Sequence, residues 1–251
     1  DILLLFKNRE FDNYWFETGT PTFLIDLLFE RQVPSLKLGE MISSSSMLSS
    51  FDVDNIATEA LMFQAGYLTI KKSQRAGGQI FYTLGYPNQE VYQSLNENLL
   101  AILVKDSSAQ SKQTLRLYEL LLINDFDGLK QLFHGFFASI PYQWYTNNDI
   151  QSYEGYYASV FYSYFASLGL ELILEDVTNL GRIDMTLKFN NQIYIFEFKV
   201  VEMAPEGSAL QQIKDKAYAD KYAALQQPMH LIGVEFSKKS RNIVGFEREA
   251  V

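Results

Sequence analysis

Cysteine and histidine are scarce in this 251-residue chain, which has no cysteine and two histidines. The lack of cysteine excludes disulfides, thiolate metal sites and a cysteine nucleophile, and it leaves the redox compartment open. His134 and His230 lie far apart in the sequence, without the spacing of metal ligands, so a histidine-based zinc site is not expected.

Long apolar runs and positive charge are also lacking. No run reaches the roughly 18 apolar residues of a membrane span, so we expect a cytoplasmic protein with no membrane partner. The net charge of −9 repels nucleic acid overall. Contact with nucleic acid would therefore depend on local basic patches or on metal ions. The first residue is Asp rather than Met, which indicates a fragment of a longer protein.

The composition is that of a globular protein, because 47% of the residues are hydrophobic and 15% are aromatic. The length fits one large or two small domains. We place the domains at 1–104 and 105–251. In the first, we expect a helix from Pro21 to Glu30, a serine-rich linker or exposed loop over 34–50, and a helix from Asp54 to Ala65 that ends at Gly66.

A hairpin and a helix follow in this first domain. Residues 67–70 and 79–84 read as strands around Gly77-Gly78, and 90–104 reads as a helix. This order predicts a winged-helix-like module whose wing carries Lys71, Lys72 and Arg75. Those three cations are either a contact for nucleic acid or an ordinary solvated hairpin end, and the second interpretation is favoured.

The second domain changes from helical to strand periodicity. After a linker over 105–111, apolar residues at helical spacing predict two amphipathic helices, the second of which stops near Pro141. An aromatic helix over 153–165, expected to pack in the core, ends by Gly169. Alternating patterns then predict strands over 170–177, 182–189, 192–200, 229–236 and 242–248, with a helix over 208–225. This is an α/β arrangement.

Two asparagines join the second and third of these strands. Asn190-Asn191 suits a two-residue type I′ turn, because asparagine tolerates positive φ. Such a turn pairs Phe189 with Gln192, and the same register places Asp184 opposite Glu197 and Arg182 opposite Lys199.

Alternation then sorts the side chains of this hairpin onto two faces. One face is apolar and belongs to the core, and it comprises Met185, Leu187, Tyr194, Phe196 and Phe198. The other carries Asp184, Glu197, Lys199 and Arg182. Two opposed carboxylates destabilise a strand pair, and a divalent cation held by oxygen ligands, Mg²⁺ or Mn²⁺, would remove the conflict. The alternative is that the two cations simply neutralise the acids on a solvated face.

These residues resemble a known signature. Gly181-Arg182-Ile183-Asp184, followed by Ile195-Phe196-Glu197-Phe198-Lys199, is similar to the motif of the PD-(D/E)xK nuclease superfamily, without its proline. The resemblance implies a restriction-endonuclease-like α/β domain with a central mixed sheet, in which Asp184, Glu197 and Lys199 are catalytic.

The resemblance implies two further site residues. Glu154 takes the place of the superfamily's helix carboxylate, which can join the metal shell, although a first-turn glutamate is also common because of the helix dipole. Gln212, on the helix after the motif, would approach the site. Lys216 and Lys221 on that helix would contact phosphate or simply face water.

A second resemblance covers nearly the whole chain. Residues 14–21 (Tyr-Trp-Phe-Glu-Thr-Gly-Thr-Pro), 60–68 and 82–88 are similar to a bacterial family in which an AAA-ATPase-like region precedes such a nuclease domain. This resemblance implies an ATPase core upstream, because no GxxxxGK[ST] loop is present here.

Three functions are compatible with these residues. The first is a Mg²⁺- or Mn²⁺-dependent nuclease acting on DNA or RNA. The second is a catalytically silent nuclease-like module that binds nucleic acid or protein and is coupled to the upstream ATPase region. The third, a glycosidase-like carboxylate pair, is disfavoured by Lys199 beside the acids. The sequence does not indicate an oligomeric state.

Overall fold

The computed structural model describes residues 22–31, 33, 38–39, 41–49, 56–104, 107–140 and 154–251. The chain forms two compact units, 1–102 and 103–251, and each is described by itself. Both predicted linkers and the predicted domain boundary lie partly or wholly outside the described residues, and so do Pro21, Asp54, Pro141 and the Tyr14–Pro21 phrase.

The N-terminal unit packs short helices against a small antiparallel sheet. Its elements are α1 (Thr22–Glu30), β1 (Ile42–Ser44), α2 (Ser45–Leu48), α3 (Thr58–Gln64), β2 (Thr69–Ala76), β3 (Gln79–Gly85) and α4 (Gln89–Val104). The strand order is β1-β3-β2. Apolar side chains from these helices and strands, among them Ile25, Met62 and Leu95, form one buried cluster.

The serine-rich stretch is not the linker that its composition predicts, because it contains β1 and α2. The Ser44 side chain caps α2 by accepting a hydrogen bond from the Met47 N–H. Leu48, at the end of α2, is buried in the core of this unit. Serine therefore acts here as a helix cap, which composition alone does not distinguish from loop.

The C-terminal unit begins with helices. These are α5 (Ser107–Leu122), α6 (Phe126–Ser139) and α7 (Glu154–Ser167). The predicted linker over 105–111 is wrong for 107–111, which form the start of α5. Asp125 caps α6 by accepting from the Gly128 N–H at 2.8 Å. The aromatic helix α7 is buried, as predicted; Phe161, for example, is fully inaccessible to solvent.

A five-stranded mixed sheet follows these helices. Its strands are β4 (Glu171–Val177), β5 (Arg182–Phe189), β6 (Gln192–Val201), β7 (Met229–Ser237) and β8 (Asn242–Ala250). They lie in the order β4-β5-β6-β7-β8, and only the β6–β7 pair is parallel among them. The predicted α/β arrangement with a mixed sheet is confirmed.

Helical elements cover both faces of this sheet. On one face, Phe161 of α7 packs against Phe198 of β6 and Phe236 of β7, with ring centroids 5.3 and 5.8 Å apart. On the other, Ile213 packs with Ile195 and other strand residues in a separate buried cluster. The sheet is therefore the middle of three layers.

The predicted single helix over 208–225 is two elements. Helix α8 spans Ser208–Asp215, and a 3₁₀ helix spans Tyr218–Leu225. Ala217 between them has a φ of 46°, a left-handed conformation that ends a right-handed helix. No helix of the described residues is long and apolar enough to cross a membrane.

Candidate active site

The β5–β6 hairpin closes as its sequence predicts. Asn190 and Asn191 both have positive φ, 50° and 56°, as a type I′ turn requires. Phe189 pairs with Gln192, and the register continues to the pair of Met185 with Phe196. The five predicted core residues of the hairpin are at most 1% exposed: Met185, Leu187, Tyr194, Phe196 and Phe198.

The ladder between β5 and β6 ends one residue before the predicted Asp184–Glu197 pair. The Asp184 Oδ2 atom instead accepts a hydrogen bond from the Phe198 N–H at 2.8 Å. The aspartate side chain thus takes the place of a backbone acceptor where the strands separate. This bond fixes the Asp184 carboxylate beside the Glu197–Lys199 segment.

The alternation of β4 and β5 is interrupted at the same level. Glu175 has a φ of 50°, and the next residue, Asp176, turns toward Thr186, whose hydroxyl donates to it at 3.0 Å. The Arg182 side chain pairs with Glu175, and the β5–β6 ladder ends before the predicted position of Arg182 opposite Lys199. Strict alternation fails here because a left-handed residue reverses the faces of the strand.

Glu197 is the buried centre of the site, with 1% of its side chain exposed. Its Oε1 atom accepts hydrogen bonds from Lys199 Nζ, at 2.9 Å, and from Gln212 Nε2. Its Oε2 atom is buried and has no hydrogen-bond partner among the residues that the structure describes. A buried carboxylate oxygen without a partner is costly for the fold unless a further ligand satisfies it.

Lys199 connects the carboxylates. Its ammonium group also lies 3.9 Å from Glu154 Oε1, and 28% of its side chain is exposed. Burial lowers the pKa of Lys199, but the negative charges of Glu197, Glu154 and Asp184 outweigh that effect and raise it. The side chain therefore remains a cation at neutral pH.

Burial raises the pKa values of all three carboxyl groups. For Glu197, burial and the charge of Asp184 raise the pKa to about 7, against the lowering effect of Lys199. Burial raises the pKa of Asp184 despite the Phe198 N–H. It also raises the pKa of Glu154 despite Lys199. Carboxyl groups whose pKa values are shifted in this way are typical of functional sites.

The sequence-predicted residues do not all lie equally near the centre. Asp184, Glu197, Lys199 and Gln212 come together. Glu154, at the start of α7, reaches the group through Lys199, and a direct role in metal binding stays a prediction.

The two lysines predicted after the motif differ in their surroundings. Lys221 is paired with the buried Asp176 and donates to the Val177 carbonyl at 2.9 Å. A carboxylate of the protein therefore already balances its charge, and no phosphate is needed to do so. Lys216 is the C-cap residue of α8.

Two acids near the site escaped the sequence analysis. Glu175 raises the pKa of Asp184 through its charge. Asp176 receives hydrogen bonds from Thr186, Lys221 and Tyr222 and so attaches the 3₁₀ helix to the sheet. The signal that could have found them is two adjacent acids that follow the apolar residues 172–174 of strand β4.

The donor set fits a small divalent cation. Among the described residues, no group of three or more histidine, aspartate and glutamate side chains is arranged to hold a metal. Magnesium, however, commonly uses one or two carboxylates and completes its shell with water. The Asp184 carboxylate and the unpartnered Oε2 atom of Glu197 meet that lower requirement.

Comparison with known proteins agrees with this geometry. Residues 152–246 match the sequence model of the PD-(D/E)XK nuclease superfamily. The match supports a PD-(D/E)XK nuclease superfamily domain over these residues. It spans α7, the whole hairpin, α8 and most of the sheet, so Asp184, Glu197, Lys199 and Gln212 all lie inside it. The five-stranded mixed sheet is consistent with a restriction-endonuclease-like fold.

A longer relative extends the similarity beyond the nuclease superfamily domain. The chain is 60% identical over all 251 residues to a protein of Azotobacter chroococcum mcd 1, described as an uncharacterized protein in the vnfD 5′ region. The chain spans 49% of that protein's length. No solved structure matches the chain.

Proposed function

We propose that the C-terminal unit is a metal-dependent nuclease that hydrolyses phosphodiester bonds of DNA or RNA. The observation that carries this proposal is the buried, unpartnered Oε2 atom of Glu197, beside Asp184 and with Lys199 and Gln212 on its other oxygen. The match of residues 152–246 to the nuclease superfamily model supports the same activity.

In this proposal Asp184 and Glu197 hold Mg²⁺ or Mn²⁺. When bound, the ion supplies Lewis acidity and lowers the pKa of a bound water. Lys199 is a cation at neutral pH, so its role is to stabilise negative charge on the phosphate rather than to remove a proton. Gln212 holds the Glu197 carboxylate in one orientation by donating to Oε1.

The metal site is tested without reference to activity. Adding Mg²⁺ or Mn²⁺ should raise the melting temperature of the chain, because an ion that binds only the folded state stabilises it. Asp184→Asn and Glu197→Gln should each abolish the increase. Glu171→Gln, which removes an exposed carboxylate of the same sheet, should leave it intact. If both site variants kept the wild-type increase in melting temperature, the metal assignment would be refuted.

Cleavage is tested with single- and double-stranded DNA and RNA in the presence of Mn²⁺. Lys199→Ala should remove the activity while the metal-dependent change in melting temperature persists. A wild-type chain that binds metal but cuts none of the four substrates would favour the second candidate function. That candidate is a nuclease-like interaction module coupled to an ATPase region of the longer protein.

For the N-terminal unit we propose a winged-helix-like contact with the nucleic-acid backbone. The strand order β1-β3-β2 and the helices before the hairpin suit that fold. Residues 69–85 contain Lys71, Lys72 and Arg75 and no acid. All three cations are exposed, so they are available to phosphates in a chain whose overall charge is −9.

The wing is tested by replacing its three cations with glutamine and measuring DNA binding against salt. Loss of three phosphate contacts should reduce the slope of log K against log salt by about 3. A matched variant with Lys112, Arg116 and Lys130 changed to glutamine carries the same charge change on α5 and α6. Equal losses in the two variants would mean that net charge, not the wing, governs binding.

A further inference from the structure

The first turn of α8 has no cap from its own neighbourhood. Gly207, at the N-cap position, has a φ of 72° and offers no side-chain hydrogen bond. The free N–H groups at the start of a helix need acceptors, which are usually local Ser, Thr, Asp or Asn side chains. Here a residue 28 positions further along the chain supplies them.

That residue is Glu235, on β7, with 2% of its surface exposed. Its Oε2 atom accepts from the N–H groups of Glu206 and Gly207, at 2.6 and 3.1 Å. Its Oε1 atom accepts from Ser208 N, Ser208 Oγ and Ala209 N, at 2.7, 2.9 and 3.3 Å. Burial would raise the pKa of Glu235, but these donors outweigh it and lower the pKa. The carboxylate also lies at the positive end of the helix dipole.

The helix approaches the sheet closely beside this carboxylate. A Cβ atom at Gly233 would lie 2.3 Å from the Leu210 backbone nitrogen, so the backbones of α8 and β7 are in direct contact there. Gly233 is the register partner of Glu197. The helix therefore crosses β7 at the level of the buried glutamate.

The second turn of the same helix carries Gln212, whose Nε2 atom donates to Glu197 Oε1. We infer that Glu235 is a positioning residue for the candidate active site: by holding the first turn of α8 on β7, it sets the reach of Gln212 to Glu197. This inference rests on the proposed function only for its consequence, since the geometry exists whether or not the chain cuts nucleic acid.

The test follows the side-chain amide of Gln212 by NMR on the ¹⁵N-labelled full chain, with Gln212→Ala for assignment. Glu235→Gln keeps the size of the side chain but replaces one acceptor oxygen with a donor that opposes the N–H groups. The Gln212 amide should lose its hydrogen-bonded chemical shift and its protection from exchange. Gln211, which donates to Asp215 within the same helix at 2.7 Å, should keep both.

A matched control removes a different attachment of the same helix. Glu249→Gln breaks the exposed ion pair between Lys214 and Glu249, at 2.8 Å, and should leave the Gln212 signal unchanged because exposed pairs contribute little. Glu235→Asp, which keeps the charge, should restore part of the wild-type signal.

An unchanged Gln212 amide in Glu235→Gln would overturn the inference. If that variant does not fold, Ser208→Ala provides the same test, because it removes one of the five hydrogen bonds; the Gln212 signal should then shift part of the way, and no shift would overturn the inference. Neither readout needs metal or cleavage. If the wild-type chain cleaves no substrate while Glu235→Gln displaces the Gln212 amide, the proposed function is refuted and the positioning role stands.

Discussion

At the scale of single residues, the candidate site consists of charged side chains whose burial is unfavourable for folding. Glu197 is buried beside Asp184, and its Oε2 atom has no hydrogen-bond partner in the described part of the chain. In the metal-free protein this carboxylate opposes folding, because burial removes its hydration and the protein replaces the lost hydrogen bonds only at Oε1. A cation that binds only the folded protein would offset this unfavourable free energy of folding.

The titration of Glu197 makes this cost measurable. Its pKa is raised from 4.5 to about 7 in the folded protein, so the folded state holds a proton that the unfolded state has released between those values. The free energy of unfolding should therefore fall as pH rises through this window, by about 3 kcal/mol. Glu197→Gln should remove most of that fall and be more stable than wild type at pH 8. Chemical denaturation in EDTA from pH 4 to 8 measures it.

The same experiment has a built-in control. Glu171→Gln, at an exposed carboxylate paired with Lys188, should follow the wild-type curve. Parallel curves for Glu197→Gln and the wild type would mean that Glu197 is ionised with little penalty, and the argument for a cation at Oε2 would weaken with it.

The sequence identified which residues meet at this site and missed how they meet. The asparagine turn pairs Phe189 with Gln192, and that register alone brings Asp184 to the level of Glu197. It does not show that Asp184 binds the Phe198 N–H, since this depends on where β5 leaves β6. The φ of 50° at Glu175 has no sequence signal, because glutamate rarely adopts it.

At the scale of elements, periodicity located the strands of the C-terminal unit well. Their two-residue alternation is long and each strand is bounded by turn residues. It failed where a helix is broken or capped by a small local feature. Ala217 interrupts α8 without glycine or proline, and Ser44 begins a helix inside a stretch whose composition suggests a loop.

The contact between α8 and β7 requires glycine at position 233, which has a hydrogen atom where other residues have a Cβ atom. Gly233→Ala would place a methyl group 2.3 Å from the Leu210 backbone nitrogen, and a backbone atom cannot move aside as a flexible side chain can. We expect a loss of about 1–3 kcal/mol in the free energy of unfolding. The Gln212 amide should also lose its hydrogen-bonded shift, because the helix must lift from the sheet.

Gly135→Ala is the matched control for this substitution. Gly135 is an exposed helical residue of α6, and its added Cβ would meet nothing within 4 Å. Alanine there should stabilise the chain by about 0.5–1 kcal/mol. Urea unfolding of both variants gives the comparison, and a neutral Gly233→Ala would show that α8 has room the structure does not indicate.

At the scale of the whole molecule, the two units differ in what they contribute. The site residues, the covering helices and both faces of the five-stranded sheet lie within 103–251, and the three exposed cations of the wing lie within 1–102. Residues 150–251 carry 10 basic and 13 acidic side chains, a net of −3. A net charge of that sign repels nucleic acid, so a separate basic contact would aid substrate binding.

This division predicts that the C-terminal unit is an independent domain. It has its own core on each face of the sheet, including Phe161, Phe236 and Ile213, and about 150 residues suffice to bury such a core. Residues 103–251 expressed alone should unfold cooperatively and keep the increase in melting temperature with Mn²⁺ that the full chain shows. They should bind DNA more weakly than the full chain, because the wing is absent. Calorimetry and anisotropy measure the two effects.

A fragment that unfolds without a cooperative transition would show that the nuclease superfamily domain needs the N-terminal unit. A fragment that binds DNA as tightly as the full chain would assign the nucleic-acid contact to the sheet unit instead of the wing.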